Sequence, residues 1–269
     1  MTQDERFAVP AGIDLTRPSA ARVYDYYLGG FHNFPVDRDL GEATIAAFPD
    51  ARGVARAGRA FLTRAVRHLV DQGVRQFLDL GSGIPTAGNV HEIAQAVDPA
   101  SRVVYVDIEP VAAAHGEIIL ADNPNATSIQ ADLRDPDDVL SRPAVRDLID
   151  PRQPTALLLS LVLPFIPDSD DPAGLLRRYR EALGPGSWLA LSHGTDEFQP
   201  HAVGDAVRLY RRASTPVRMR HRDEVLALFD GYELQPPGLA LVTQWRPGTL
   251  ADVEDPQRFA IWAGVGRAT

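Results

Sequence analysis

The stretch Phe77-Leu78-Asp79-Leu80-Gly81-Ser82-Gly83-Ile84-Pro85-Thr86-Ala87-Gly88 decides how the rest of this chain is read. A short apolar strand runs into a Gly81-x-Gly83 turn, and a helix is expected to open just beyond it, near Ala87 to Asn89. Glycine at such a turn allows a tight reversal and lets a ligand approach bare backbone. Alone the pattern is weak evidence, because many strand-to-helix turns use glycine for geometry only.

Outward from this turn the chain alternates. Apolar strands are predicted at Gln76–Leu80, Arg102–Asp107, Thr127–Gln130, Thr155–Leu163 and Ser187–Ser192. Helices are predicted to begin near Ala87, Pro110, Pro136 and Pro172, and in the last three an acid precedes the proline (Glu109, Asp135, Asp171). An acid at the N-cap followed by proline is a start signal with a mechanism, since the missing N–H would be unpaired anyway. Strands that alternate with helices of this length build right-handed βαβ units and a parallel sheet. The tail differs. Tyr232–Gln244, broken at Pro236-Pro237-Gly238, and Arg258–Val265 read as strands with no helix between them, hence an antiparallel hairpin at the sheet edge.

The first 75 residues read as a helical N-terminal extension. One helix is predicted from Pro18-Ser19 to a stop at Gly29-Gly30. Asp50 reads as the N-cap of a longer helix, with Val54, Ala57, Phe61, Ala65 and Leu69 as its apolar stripe. Residues 76–269 then form the α/β unit, joined to the extension without a linker, repeat or low-complexity segment.

Composition excludes several chemistries. The chain has 269 residues, 45% of them hydrophobic, enough for a sizeable core. With no Cys, disulfides, thiolate zinc, iron–sulfur clusters and cysteine nucleophiles are out. All 27 basic residues are Arg, so there is no P-loop lysine and no Schiff-base lysine. Against 36 acidic residues they leave a net charge of −9, a poor match for a nucleic-acid backbone. The longest apolar run, Ala156–Ile166, is too short to span a bilayer, and Met1–Pro10 has no signal-peptide pattern. A cytoplasmic protein with no membrane partner is expected.

Two further acids sharpen the reading of the glycine turn. Val103-Val104-Tyr105-Val106-Asp107 is a buried strand ending in a carboxylate 24 residues beyond Gly83, a placement suited to ribose hydroxyls. Ile129-Gln130-Ala131-Asp132-Leu133 ends the next strand with another acid, able to accept an adenine amine while the following N–H donates to the ring. Singly, Asp107 reads as a helix cap and Asp132 as a turn residue. Together with Asp79 they line the carboxyl edge of a parallel sheet, where open α/β folds bind ligands.

These residues resemble the motifs of class I S-adenosylmethionine-dependent methyltransferases. More narrowly, Ala21–Gly30, Asp79–Val90, Tyr105–Pro110, Ala131–Pro136, Phe165–Asp168 and Tyr210–Ala213 resemble an S-adenosyl methyltransferase family of GC-rich bacteria. Pro164 departs from that family, whose members tend to carry His before Phe-Ile-Pro-Asp. The resemblance implies a Rossmann-like fold, a mostly parallel seven-stranded sheet with an antiparallel C-terminal hairpin. It also implies site roles. Gly81, Ser82 and Gly83 would meet the methionine portion and ribose. Asp107 with Ile108 would hold the ribose, Asp132 and Leu133 would read adenine, and Ser160 and Leu161 would pass the sulfonium. Tyr24 and Tyr27 would sit in a lid whose rings attract that cation. S-adenosylmethionine is the implied cofactor, and the expected partner is a small-molecule acceptor with an O or N nucleophile.

Other residues are weighed against plainer roles. His193, after the fifth strand, is a candidate general base or else a surface histidine. His32 and His115 have weaker claims. Asp168, Asp170 and Asp171 read as a loop and helix cap in preference to a Mg²⁺ site, and no metal site is expected. Arg208, Arg211, Arg212, Arg218, Arg220 and Arg222 form the basic region, suited to an acidic substrate or simply to a solvated face. No Asn-Pro-Pro-aromatic motif follows the fourth strand, which points away from DNA and RNA. The alternatives are a non-catalytic S-adenosylmethionine-binding module and a nicotinamide-dependent oxidoreductase; against the latter, no third glycine follows Gly83 at the standard spacing. Asp107→Asn is expected to weaken cofactor binding by roughly 1.5–3 kcal/mol with folding nearly untouched.

Overall fold

The computed structural model describes residues 13–85, 88–212, 216–248 and 255–269. Met1–Pro10 and the helix start expected at Ala87 lie outside the described residues.

The predicted alternation folds into one sheet. Strands β1 (Gln76–Leu80), β2 (Arg102–Asp107), β3 (Ala126–Gln130), β4 (Thr155–Ser160) and β5 (Trp188–Gly194) run parallel, and β8 (Ile261–Ala268) lies antiparallel beside β5. The order is β3-β2-β1-β4-β5-β8-β6. The seventh position is filled in two pieces, β6 (Tyr232–Leu234) and β7 (Ala240–Leu241), both paired to β8. Pro236-Pro237 causes the split, because proline cannot donate to the ladder. Among the described residues the sheet therefore counts eight strands in a seven-position architecture.

Both faces are covered. Phe77, Tyr105 and Ala156 pack under α3 (Ala51–Asp71), which contributes Phe61, Leu62, Ala65 and Leu69. Leu78, Leu80, Leu157 and Leu159 point the other way, onto Leu175, Leu176 and Tyr179 of α8 (Pro172–Leu183) and Val225 of α10 (Arg222–Ala227). Each of the buried Leu, Val and Phe side chains stabilises the fold by about 1.5–3 kcal/mol.

The boundaries carry information. Helices α5 (Pro110–Leu120), α6 (Pro136–Ser141) and α8 begin at the three prolines, and a short α7 (Pro143–Leu148) follows α6. Asp135 and Asp171 cap as predicted, accepting from the N–H of Asp138 and Gly174. Glu109 does not cap; its carboxylate meets the buried Arg22 of α1 (Ala20–Leu28) at 3.1 Å. Helix α1 stops at Gly29, in the left-handed region at φ 84°. Helix α2 (Pro35–Ala47) had no sequence signal, and its mid-helix Gly41 explains why: a Cβ there would come within 2.6 Å of the Tyr26 ring. β4 ends three residues early, at Ser160, because Leu161 turns left-handed (φ 57°). β5 runs two residues further than predicted because β8 pairs with His193 and Gly194. No described helix is long and apolar enough to cross a membrane.

Candidate functional site

The glycine turn after β1 is held from below. The N–H groups of Gly81 and Ser82 both donate to Val106 O (2.8 and 3.2 Å), and Gly83 N–H donates to Asp107 Oδ2 at 2.7 Å. A Cβ at Gly81 would fall 2.1 Å from Val162 Cγ2, so packing as well as its φ of 67° demands glycine. At Gly83 and Gly88 a Cβ would meet nothing within 4 Å among the described residues. The turn thus has open space above it, a cradle for a ligand. Beyond it α4 (Val90–Val97) starts at Asn89, whose N–H donates to Glu92.

Asp107 is 7% exposed, with Oδ1 accepting from Glu109 N–H at 2.9 Å and Oδ2 serving Gly83. Burial pushes its carboxyl up to about 6. The expectation that it supports little structure is corrected: it ties the glycine turn to the end of β2. It also does not cap α5. Ile108 beside it is 58% exposed, an apolar side chain left bare at the strand end.

Two groups at this edge carry charge that sequence reasoning left without a role. Asp79 is buried, and burial raises its carboxyl to about 7, with Arg59 opposing and Asp107 adding to the rise. Arg59, on α3, also reaches Asn89 Oδ1 at 3.4 Å. Tyr24 lies in the same field, its phenol pushed by burial to about 12 and its hydroxyl donating to Ala55 O at 3.0 Å. The signal for Asp79 was its place inside an apolar strand; the signal for Arg59 was a cation three residues before Leu62 on a helix read only for its stripe.

At the end of β3, Leu133 is buried and Asp132 faces Arg134, which donates to both its oxygens (2.6–3.0 Å) and holds its carboxyl below the usual range. An adenine amine would share Asp132 with that guanidinium. At the end of β4, Ser160 Oγ lies 3.3 Å from Ser192 Oγ, and Leu161 N–H donates to Ser192 O and Oγ, both at 3.1 Å. These bonds hold Leu161 in its left-handed conformation, a strain of about 1–2 kcal/mol. In the lid, Asp25 accepts from His32 N–H and Asn33 Nδ2, fixing the Gly29–Asn33 turn. His32 and His115 rings pack at 3.7 Å. The Tyr27 hydroxyl meets that of Tyr210 at 3.3 Å.

His193 is not at the solvent edge. It is fully buried inside β5, its Nδ1 on Gly194 O (2.8 Å) and its Nε2 on Arg220 Nη1 (2.9 Å). A carbonyl only accepts, so Nδ1 carries the proton and Nε2 receives Arg220's. Burial pushes the imidazole down to about 3. The general-base expectation is therefore replaced by a structural role. His193→Ala is expected to lower stability by about 2–4 kcal/mol, from a cavity plus an unpaired Arg220 donor, with cofactor affinity unchanged. Thermal melts and calorimetry on the variant check this; an unchanged melt with lost turnover would restore the base.

Four of the six arginines of the basic region, Arg208, Arg218, Arg220 and Arg222, meet partners within the protein. Arg220 also donates to Leu163 O, Ile166 O and Asp168, while Arg218 meets Asp168 and Glu224. Arg208 pairs with Asp205, and Arg222 lies over the Trp262 ring. Of the acidic cluster, Asp168 serves these arginines, Asp170 meets Arg134 at 3.1 Å and Asp171 caps α8. Among the described residues no group of three or more His, Asp or Glu is arranged to hold a metal.

The strand order, the open glycine turn and the acid ending β2 define a class I methyltransferase. The chain belongs to the S-adenosyl methyltransferase family, which it matches over residues 7–269. Its cofactor is S-adenosylmethionine, which sets the nicotinamide alternative aside. A DUF574 family protein from Streptomyces avermitilis MA-4680 is 40% identical, with a TM-score of 0.90 over 94% of this chain and 98% of its own. A protein from Thermobifida fusca YX, provisionally described as a methyltransferase, is 38% identical, with a TM-score of 0.90 over 97% of this chain and 98% of its own. The CurJ carbon methyltransferase, 15% identical, shares the fold at a TM-score of 0.54 over 87% of this chain and 60% of its own. The sequence matches no curated protein.

Proposed function

We propose that this methyltransferase acts in the cytoplasm on an oxygen or nitrogen nucleophile of a small molecule. The carrying observation is the cleft edge itself: open space over Gly83 and Gly88, the buried carboxylate of Asp107 and the bare Ile108 side by side. S-adenosylmethionine supplies an electrophilic sulfonium methyl when bound. The residues then divide its parts. Arg59 would hold the α-carboxylate and Asp79 the ammonium, a half-buried cation and a buried anion matched to a zwitterion. Gly81, Ser82 and Gly83 would lie under the methionine portion, and Asp107 would accept the ribose hydroxyls. Ile108 and Leu133 would flank adenine, with Asp132 at its amine. Tyr24 would face the sulfonium from the lid, and Ser160 and Leu161 would border the reacting end. The net charge of −9 and the paired arginines support a small acceptor over a nucleic acid. Calorimetry with S-adenosylmethionine and S-adenosylhomocysteine tests the site: no binding of either at millimolar concentration ends this reading. Labelled methyl transfer into a metabolite extract tests turnover.

A pH dependence follows from Asp79 and Asp107. Their folded values of about 7 and about 6 stand above the ordinary 3.8. The folded protein therefore holds protons that the unfolded chain releases, and its ligand-free stability falls as pH rises from about 4 to 7. A cationic ligand prefers the ionised carboxylates, so cofactor affinity rises over the upper part of that window and levels off above it. Calorimetry at pH 6 in two buffers of different ionisation enthalpy should show about one proton released per cofactor bound; no release would remove Asp79 from the ammonium site.

A further inference from the structure

We infer that the methyl acceptor is an uncharged, ring-sized hydroxyl compound of the phenol class, held in the apolar cavity between α1 and α9 (Pro200–Leu209). The inference rests on the methyltransferase reading and narrows its substrate.

The cavity, of about 140 Å³, begins at the carboxyl edge with Leu161, Gly194 and Thr195. Tyr24 and Tyr27 of α1 wall one side, and Val203 and Ala206 of α9 the other. Its Leu161 end adjoins the cofactor turn: Leu161 and the Tyr24 hydroxyl both press on Gly58, and the next residue, Val162, packs over Gly81. A guest here would sit beside the strand end where the donor's reacting group is expected.

Size and polarity select the guest. An apolar protein cavity of about 150 Å³ takes benzene. Among the described residues no charged side chain lines this one. A carboxylate or phosphate would enter without a partner, and an alkylamine, cationic at neutral pH, would do the same. The lining hydroxyls are mostly committed elsewhere: Tyr24 to Ala55 O, Thr44 to Leu40 O and Thr195 to Glu197. The exception is Tyr27 with Tyr210. Tyr27 also bonds the Thr44 side chain, whose proton goes to Leu40 O, so the two hydroxyl protons of the pair are used inside the protein and the Tyr210 oxygen is left able to accept from a guest. Burial raises both phenols, which keeps the pair neutral. A phenolic hydroxyl, as a donor, complements that acceptor. On transfer its oxygen bonds to the methyl carbon while the carbon–sulfur bond breaks with its electrons left on sulfur, and the phenolic proton departs to water. This places Tyr27 at the acceptor and leaves Tyr24 as the lid residue at the donor.

The test uses protein saturated with S-adenosylhomocysteine and three probes: phenol, benzoate and benzylamine. Phenol should bind at least about a hundredfold tighter than either charged ring, given the desolvation each would suffer. Tyr210→Phe should weaken phenol about tenfold and leave toluene unchanged, a split that a folding defect would not produce. Ala206→Phe, which fills the cavity, should abolish binding of phenol and toluene alike. Both variants should keep wild-type cofactor affinity. Benzoate or benzylamine binding as tightly as phenol, or phenol binding indifferent to both substitutions, would overturn the acceptor assignment with the cofactor site intact. Failure of the wild-type protein to bind S-adenosylhomocysteine would instead remove the reading beneath it.

Discussion

Arg22→Ala is expected to cost about 3–5 kcal/mol of folding stability, because it strands two buried carboxylates. Arg22 is 2% exposed and bonds Asp37 at 2.9 Å and Glu109 at 3.1 Å, while its Nη2 serves the carbonyls of Asp14 and Arg17. The ion cluster therefore joins α1, α2, the N-terminal segment and the start of α5. For a domain of this size the loss corresponds to a fall of roughly 10 °C in melting temperature. Cofactor affinity should fall with it, since Glu109 is two residues from Asp107 and α1 carries Tyr24. A melt within two degrees of wild type would show that the cluster contributes no net stability.

Asp107→Asn is expected to reduce both cofactor affinity and stability. The amide retains one acceptor oxygen, yet two backbone N–H groups, of Gly83 and Glu109, now need one each. One must face the new NH₂. Losing a hydrogen bond to a charged group costs about 1.5–3 kcal/mol, and a comparable loss of cofactor binding is about a ten- to hundredfold rise in Kd. The ligand-free melt and the dissociation constant separate the contributions. Unchanged affinity with a lowered melt would make Asp107 a purely structural tie.

The layout of the sheet was legible because its strands are short apolar runs and its helices start at acid–proline pairs, signals that are local. The glycine turn and Asp107 stood out for the same reason. What escaped was set by partners far along the chain. His193 looked like a loop residue until β8 paired with it and Arg220 closed over its ring. Arg218 and Arg220 looked like a free basic patch, since nothing local shows that Asp168 lies beneath them. Arg59 acts on Asp79 electrostatically across 20 positions of sequence, from a helix and a strand whose apolar patterns dominate the reading. Tyr27 was grouped with Tyr24 by proximity in sequence, whereas its hydroxyl is defined by Tyr210.

The strand order bears on how the protein is made. Of the eight strands, the one that leaves the ribosome last, β8, is the one inserted between β5 and β6. Until it arrives, β5 presents an unpaired edge of seven apolar-rich residues, Trp188–Gly194, to whatever surrounds the nascent chain. Exposed edges of this kind recruit other strands, and so favour aggregation. Early release or truncation before Ile261 would leave that edge open permanently. A chaperone requirement during synthesis, absent once the chain is complete, is the expected cellular counterpart of this topology.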